Sequence, residues 1–78
     1  MIQYGVVLFT TTSSVMQAEK ILLKAGFAIK LIPTPREFSA DCGISIRFDW
    51  NKNEQTKAIL EKEKVDYTMI QPLGPQGV

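Results

Sequence analysis

The feature that most constrains this chain is the order of its hydrophobic periods. A β-type run is followed by a helical face, two β-type runs, a second helical face and a last β-type run, all within 78 residues. Residues 4–9 form a compact apolar run containing Val6, Val7, Leu8 and Phe9. Its length and β-branched content predict a strand buried on both faces or nearly so. Val15, Ala18, Ile21, Leu22 and Ala25 then recur at three- and four-residue spacing, which is one face of a helix. Ser14 with Gln17 fits a capping box at its start, and Lys24 followed by Gly26 marks its end. Residues 28–32 predict a second strand, stopped by Pro33, and residues 34–43 a loop stiffened by Pro33 and Pro35. In the third strand Ile44, Ile46 and Phe48 alternate with Ser45 and Arg47. Asn51 with Glu54 resembles a second helix start, continuing to about Lys62 or Glu63 with Ala58, Ile59 and Leu60 turned inward. Residues 67–71 predict the last strand, ended by Pro72.

Two strand–helix–strand units in succession define a split βαβ arrangement. Right-handed crossovers slot the third strand between the first and second, giving an antiparallel sheet of order 4-1-3-2 with both helices on one face. This is an α+β, ferredoxin-like βαββαβ sandwich. An open parallel sheet needs helices on both faces, and this chain has too few. Val6, Leu8, Leu22, Ile29, Leu31, Ile46, Phe48 and Ile59 are the expected core. The face without helices should carry Val7, Phe9 or their alternates and Ile32 beside Arg47. An uncovered apolar patch there would suit a homodimer or a partner protein. Trp50 should pack over the end of the sheet.

Composition narrows the function. The length suits one domain, taken as residues 1–73, with a loose tail at 74–78. Net charge is +1 with no basic block, a poor footprint for nucleic acid. The apolar runs are far short of the roughly 20 residues of a membrane span. The chain start lacks the pattern of a secretory signal, and a single cysteine forms no internal disulfide. These features predict a cytoplasmic protein. Without histidine, the commonest metal ligand and neutral-pH base are missing, and a nucleophile–His pair is impossible. No metal site, no cofactor and no self-contained enzymatic acid–base set are expected.

The remaining chemical group is Cys42. The first two strands point the same way, so the loop at residues 34–43 and the start of the first helix share one end of the sheet. A helix N-terminus favours anions and eases loss of a thiol proton, lowering the pKa below the ordinary value of about 8.5. Arg36 in the same loop either adds to that effect or is only a solvated loop charge, and Glu37 and Asp41 oppose it. Gly43 leaves the backbone beside the sulfur unobstructed. Ser13 and Ser14 offer hydroxyls and amides to an anion at the helix start, or simply cap the helix. A lone cysteine is also often a small packing residue, and both readings of Cys42 stand on local sequence.

The run Leu31-Ile32-Pro33-Thr34-Pro35-Arg36-Glu37, then Ser39, Cys42-Gly43 and the strand at residues 44–48, resembles the selenium/sulfur carrier protein-like family. Residues 14–23, with Ala18-Glu19-Lys20 inside, look like that family's first helix. The resemblance covers about residues 6–67, and Pro-Thr-Pro-Arg-Glu with Cys-Gly shortly after is its most specific part. It implies a small bacterial protein that holds sulfur or selenium on Cys42 and hands it on, with Pro35, Arg36 and Gly43 around the thiol. Better-known sulfur-relay proteins instead carry a Cys-Pro-x-Pro motif at the start of the first helix. On this reading the partners are sulfur or selenium donor and acceptor proteins. The competing reading is a non-catalytic ligand-binding or protein-interaction module with an inert Cys42.

Overall fold

In a computed structural model, residues 3–38 and 43–73 are described. The order of elements is β1 (Tyr4–Leu8), α1 (Thr12–Lys24), β2 (Ile29–Pro33), β3 (Ile44–Asp49), a 3-10 turn (Trp50–Lys52), α2 (Asn53–Lys62) and β4 (Met69–Pro72). The four strands form one antiparallel sheet of order β2-β3-β1-β4, which is the expected 4-1-3-2 arrangement. The register pairs Val7 with Ile46 and Ile70, and Leu31 with Ile46. The fold is α+β and ferredoxin-like.

Strand alternation divides the apolar residues between two faces. On the helix side, Val7, Phe9, Ile46 and Phe48 pack with Val15, Ala18 and Leu22 of α1 and with Leu60 of α2. Gly5 is required at the edge of this core. A Cβ there would lie 2.4 Å from Trp50 Cε3 and 2.8 Å from Phe48 Cζ, so the two rings occupy the space that a side chain would need. Trp50 thus packs over the sheet end, as its position suggested.

The other face is not bare. Val6, Leu8 and Ile32 form a second buried cluster with Leu73, with Tyr4 and Phe38 packed against it. Among the described residues no uncovered apolar patch is left on that face, with Phe38 from the β2–β3 loop packed on the cluster and Leu73 beyond β4 buried in it. The patch therefore supplies no argument for a homodimer. Arg47 lies on this face, as expected, with its guanidinium carbon 4.1 Å from the centre of the Tyr4 ring.

Several local readings need correction. Helix α1 is capped by Thr11, whose hydroxyl accepts from the Ser14 amide at 3.2 Å, and not by Ser14. Five consecutive hydroxyl residues precede the apolar face, and each is a competent cap. Before α2, Asp49 caps the 3-10 turn through the Asn51 amide at 3.0 Å, so the α-helix starts at Asn53. Ala58 is exposed, and α2 buries Thr56 and Leu60 instead. Ile29, Leu31 and Ile59 are half-buried at the rim of the helix-side core rather than within it. The last strand begins at Met69, two residues later than expected.

Both helices stop in the same way. In α1 the Phe27 amide reaches the Leu22 carbonyl and the Gly26 amide reaches Leu23, with Gly26 at φ 89. In α2 the Val65 amide reaches Leu60 and the Lys64 amide reaches Glu61, with Lys64 at φ 58. These are paired Schellman turns, each with its left-handed residue and its apolar contact back into the helix.

Candidate functional site

Because β1 and β2 both run antiparallel to β3, they are parallel to each other. The end of β1, the start of α1 and the loop between β2 and β3 therefore share one end of the sheet. The feet of the loop are tied together. The Thr34 amide donates to the Gly43 carbonyl at 2.9 Å, and the Thr34 and Ser45 hydroxyls lie 2.7 Å apart. The Phe38 amide donates to the Pro35 carbonyl at 3.1 Å, closing a tight turn. That turn leaves Arg36 and Glu37 exposed at its tip and lays Phe38 on the second buried cluster.

At the helix start, Thr11 and Ser14 engage each other twice. The Thr11 hydroxyl accepts from the Ser14 amide and donates to the Ser14 hydroxyl at 3.1 Å. The Ser14 amide is consequently spent on the cap, which weakens the idea that it binds an anion. Ser13 is exposed in the first turn. No acidic side chain lies in that turn, so the helix itself supplies no carboxylate to offset the positive end of its dipole. Across the sheet end, Thr10 and Thr68 hydroxyls lie 3.3 Å apart, and the Thr68 amide donates to the Leu8 carbonyl at 2.7 Å.

Of the residues singled out from the sequence, Cys42 lies outside the described residues, as do Ser39 and Asp41. Gly43 is exposed, and a Cβ built on it would meet nothing within 4 Å. The backbone at Gly43 is thus unobstructed on the side where a Cβ would stand. Gly43, Arg36, Ser13 and Ser14 all belong to the same end of the sheet. No hydrogen bond or ion pair joins Arg36 to the helix start among the described residues. Three contributors were missed: Thr11 as the cap, the Thr34–Ser45 pair, and Phe38 as the anchor of the loop. A lone large apolar residue in an otherwise polar loop was the available signal for Phe38.

Among the described residues no group of three or more His, Cys, Asp or Glu side chains could hold a metal ion. Nor is any described helix long and apolar enough to cross a membrane.

A four-stranded antiparallel sheet whose two parallel strands deliver a tied loop and a helix N-terminus to one end defines a ferredoxin-like domain. The family model described as Putative Se/S carrier protein-like matches residues 4–72, and the chain belongs to that family. No curated protein and no solved structure matches it.

Proposed function

We propose that this protein relays sulfur or selenium as a persulfide or selenosulfide on Cys42. The observation that carries the reading is the family match, which spans Cys42 and both feet of its loop. The unobstructed backbone at Gly43 and a first turn of α1 without a carboxylate support it. Arg36, exposed in the same loop, adds positive charge for an approaching donor.

The chemistry is a pair of exchanges. The Cys42 thiolate attacks the outer sulfur of a donor persulfide. A new sulfur–sulfur bond forms on Cys42, the donor's sulfur–sulfur bond breaks, and the donor leaves as a thiolate. An acceptor thiolate then attacks the outer atom, and Cys42 leaves as a thiolate. With selenium as cargo, the outer atom is selenium and the bonds are sulfur–selenium. The chain has one cysteine, so no internal thiol resolves the adduct and a partner must. Interaction with donor and acceptor proteins follows, in a reducing cytoplasmic setting where the thiolate is available.

The test is intact-mass analysis of protein isolated without reductant, alongside Cys42→Ser. The expected result is a species heavier by one sulfur or one selenium atom, lost on reduction and absent from the variant. Alkylation of Cys42 at neutral pH should also outpace a free-cysteine standard, and Arg36→Ala should slow it without abolishing it. An adduct-free thiol that alkylates no faster than the standard would leave the binding-module reading in its place.

A further inference from the structure

We propose that the sheet face turned away from the helices holds an anion-binding site, formed by Lys30 and Arg47 beside Tyr4, that takes a small molecule through a phosphate or carboxylate group. Lys30 and Arg47 are direct cross-strand partners in the β2–β3 ladder. Like charges placed opposite one another destabilise a sheet. Neither forms an ion pair with a carboxylate among the described residues. Among the described residues the two cations thus stand together without an ion pair, with Asp49 as the one carboxylate nearby, at the wall of a groove of about 340 Å³ lined by Tyr4, Ala28, Ile29, Lys30, Arg47 and Asp49. That volume lies at the small end of the range for ligand pockets, about 300–1,000 Å³.

Tyr4 decides how the arginine is used. The guanidinium carbon lies 4.1 Å from the centre of its ring, a cation–π contact that holds the Arg47 head group at the groove. The planar fork of N–H donors on that head group suits the two oxygens of a carboxylate or phosphate. Asp49 stands two residues beyond Arg47 on the same face, and its Oδ1 is engaged by the Asn51 amide. One carboxylate against two cations leaves the groove positive. It also makes the groove unsuited to an extended polyanion, whose further charges would meet Asp49. The groove sits where β2 begins and β3 ends, the opposite end of the sheet from the Thr34–Gly43 loop. It neither needs the thiol nor reports on it.

Inorganic phosphate and acetate, titrated separately into the full chain, test the proposal through the amide shifts of residues 4, 30, 47 and 49. Saturable shifts with either probe are expected, and the tighter probe identifies the preferred group. Lys30→Gln and Arg47→Gln should each weaken binding by roughly tenfold or more, the loss of one charge-assisted hydrogen bond. Lys20→Gln, exposed on α1, should leave it unchanged. Lys30→Gln should also melt at a higher temperature than the parent in phosphate-free buffer, because the repulsion is relieved, while losing the rise that phosphate gives. Failure of both probes to saturate, or binding that survives both substitutions, overturns the site. Cys42→Ser should bind as the parent does, so this test fails or succeeds apart from the relay.

Discussion

The two helices occupy the same face of the sheet and differ in nearly every feature that holds a helix in place. Helix α1 has a side-chain cap from Thr11, buries Val15, Ala18 and Leu22, and ends on a glycine at φ 89. Helix α2 has no side-chain cap at its start, buries only Thr56 and Leu60, and ends on a lysine at φ 58. The Thr56 hydroxyl oxygen is buried and has no hydrogen-bond partner among the described residues. The sturdier helix is the one whose N-terminus stands at the loop end of the sheet. The weaker one supports the remainder of the core and is the element expected to open first.

Four substitutions would sharpen or break that contrast. Leu22→Ala, at a fully buried position of α1, should cost about 2–5 kcal/mol in chemical denaturation. A domain of this size holds about 5 kcal/mol in all, so the variant should be close to unfolded. Near-unchanged stability would show that α1 does not anchor the core. Thr56→Val should act in the opposite direction, gaining about 1–3 kcal/mol by removing a buried hydroxyl that lacks a partner. Destabilisation instead would mean that the hydroxyl is satisfied in solution. Lys64→Gly should gain about 1 kcal/mol, since only glycine adopts the left-handed conformation without a Cβ penalty. The matching change in α1, Gly26→Ala, should cost a similar amount, and equal effects of one sign at both sites would break the parallel.

The smallest effect concerns the junction of α2 with the approach to β4. The Tyr67 hydroxyl donates to Glu61 at 2.9 Å. Burial, that hydrogen bond and the negative charge of Glu61 raise its pKa above the ordinary 10.0. The folded state thus binds the phenolic proton more tightly than the unfolded state does. The stability this contributes is complete below the unfolded value of about 10 and is lost as pH rises through the higher folded value. Tyr67→Phe should therefore lose less stability than the parent on the alkaline side, read as denaturation midpoints on either side of about pH 10. Parallel decline in both proteins would remove the pair from any role in holding α2.

Much of this architecture was legible in the sequence for a definite reason. Period-two and period-3.6 patterns are strong when one face is buried, and residues 15–25 and 44–48 state theirs without interruption. The crossover rule then leaves few ways to order four strands. What stayed illegible depended on choices among equivalent residues. Any hydroxyl from Thr10 to Ser14 could cap α1, and nothing in the residue types sets Thr11 apart from its neighbours. The inward face of α2 was misread because Ala58 is small enough to suit either side, while buried Thr56 looks polar. The second cluster was hidden because its cover comes from Phe38 and Leu73, outside any periodic segment. For the candidate site, topology gave the shared sheet end, and the residue types gave Cys42 and Arg36. The tie between Thr34 and Gly43 is a backbone bond that no side-chain pattern announces.

That tie has a consequence for how the molecule can change. A segment that leaves and returns through one hydrogen-bonded step, with Phe38 packed early in it, can be lengthened while the sheet keeps its register. Each doubling of such a loop costs only about 0.6 kcal/mol in closure entropy. Added length between the tied feet therefore costs little, so recognition of one partner can be exchanged for another around a retained Cys42 without refolding the scaffold.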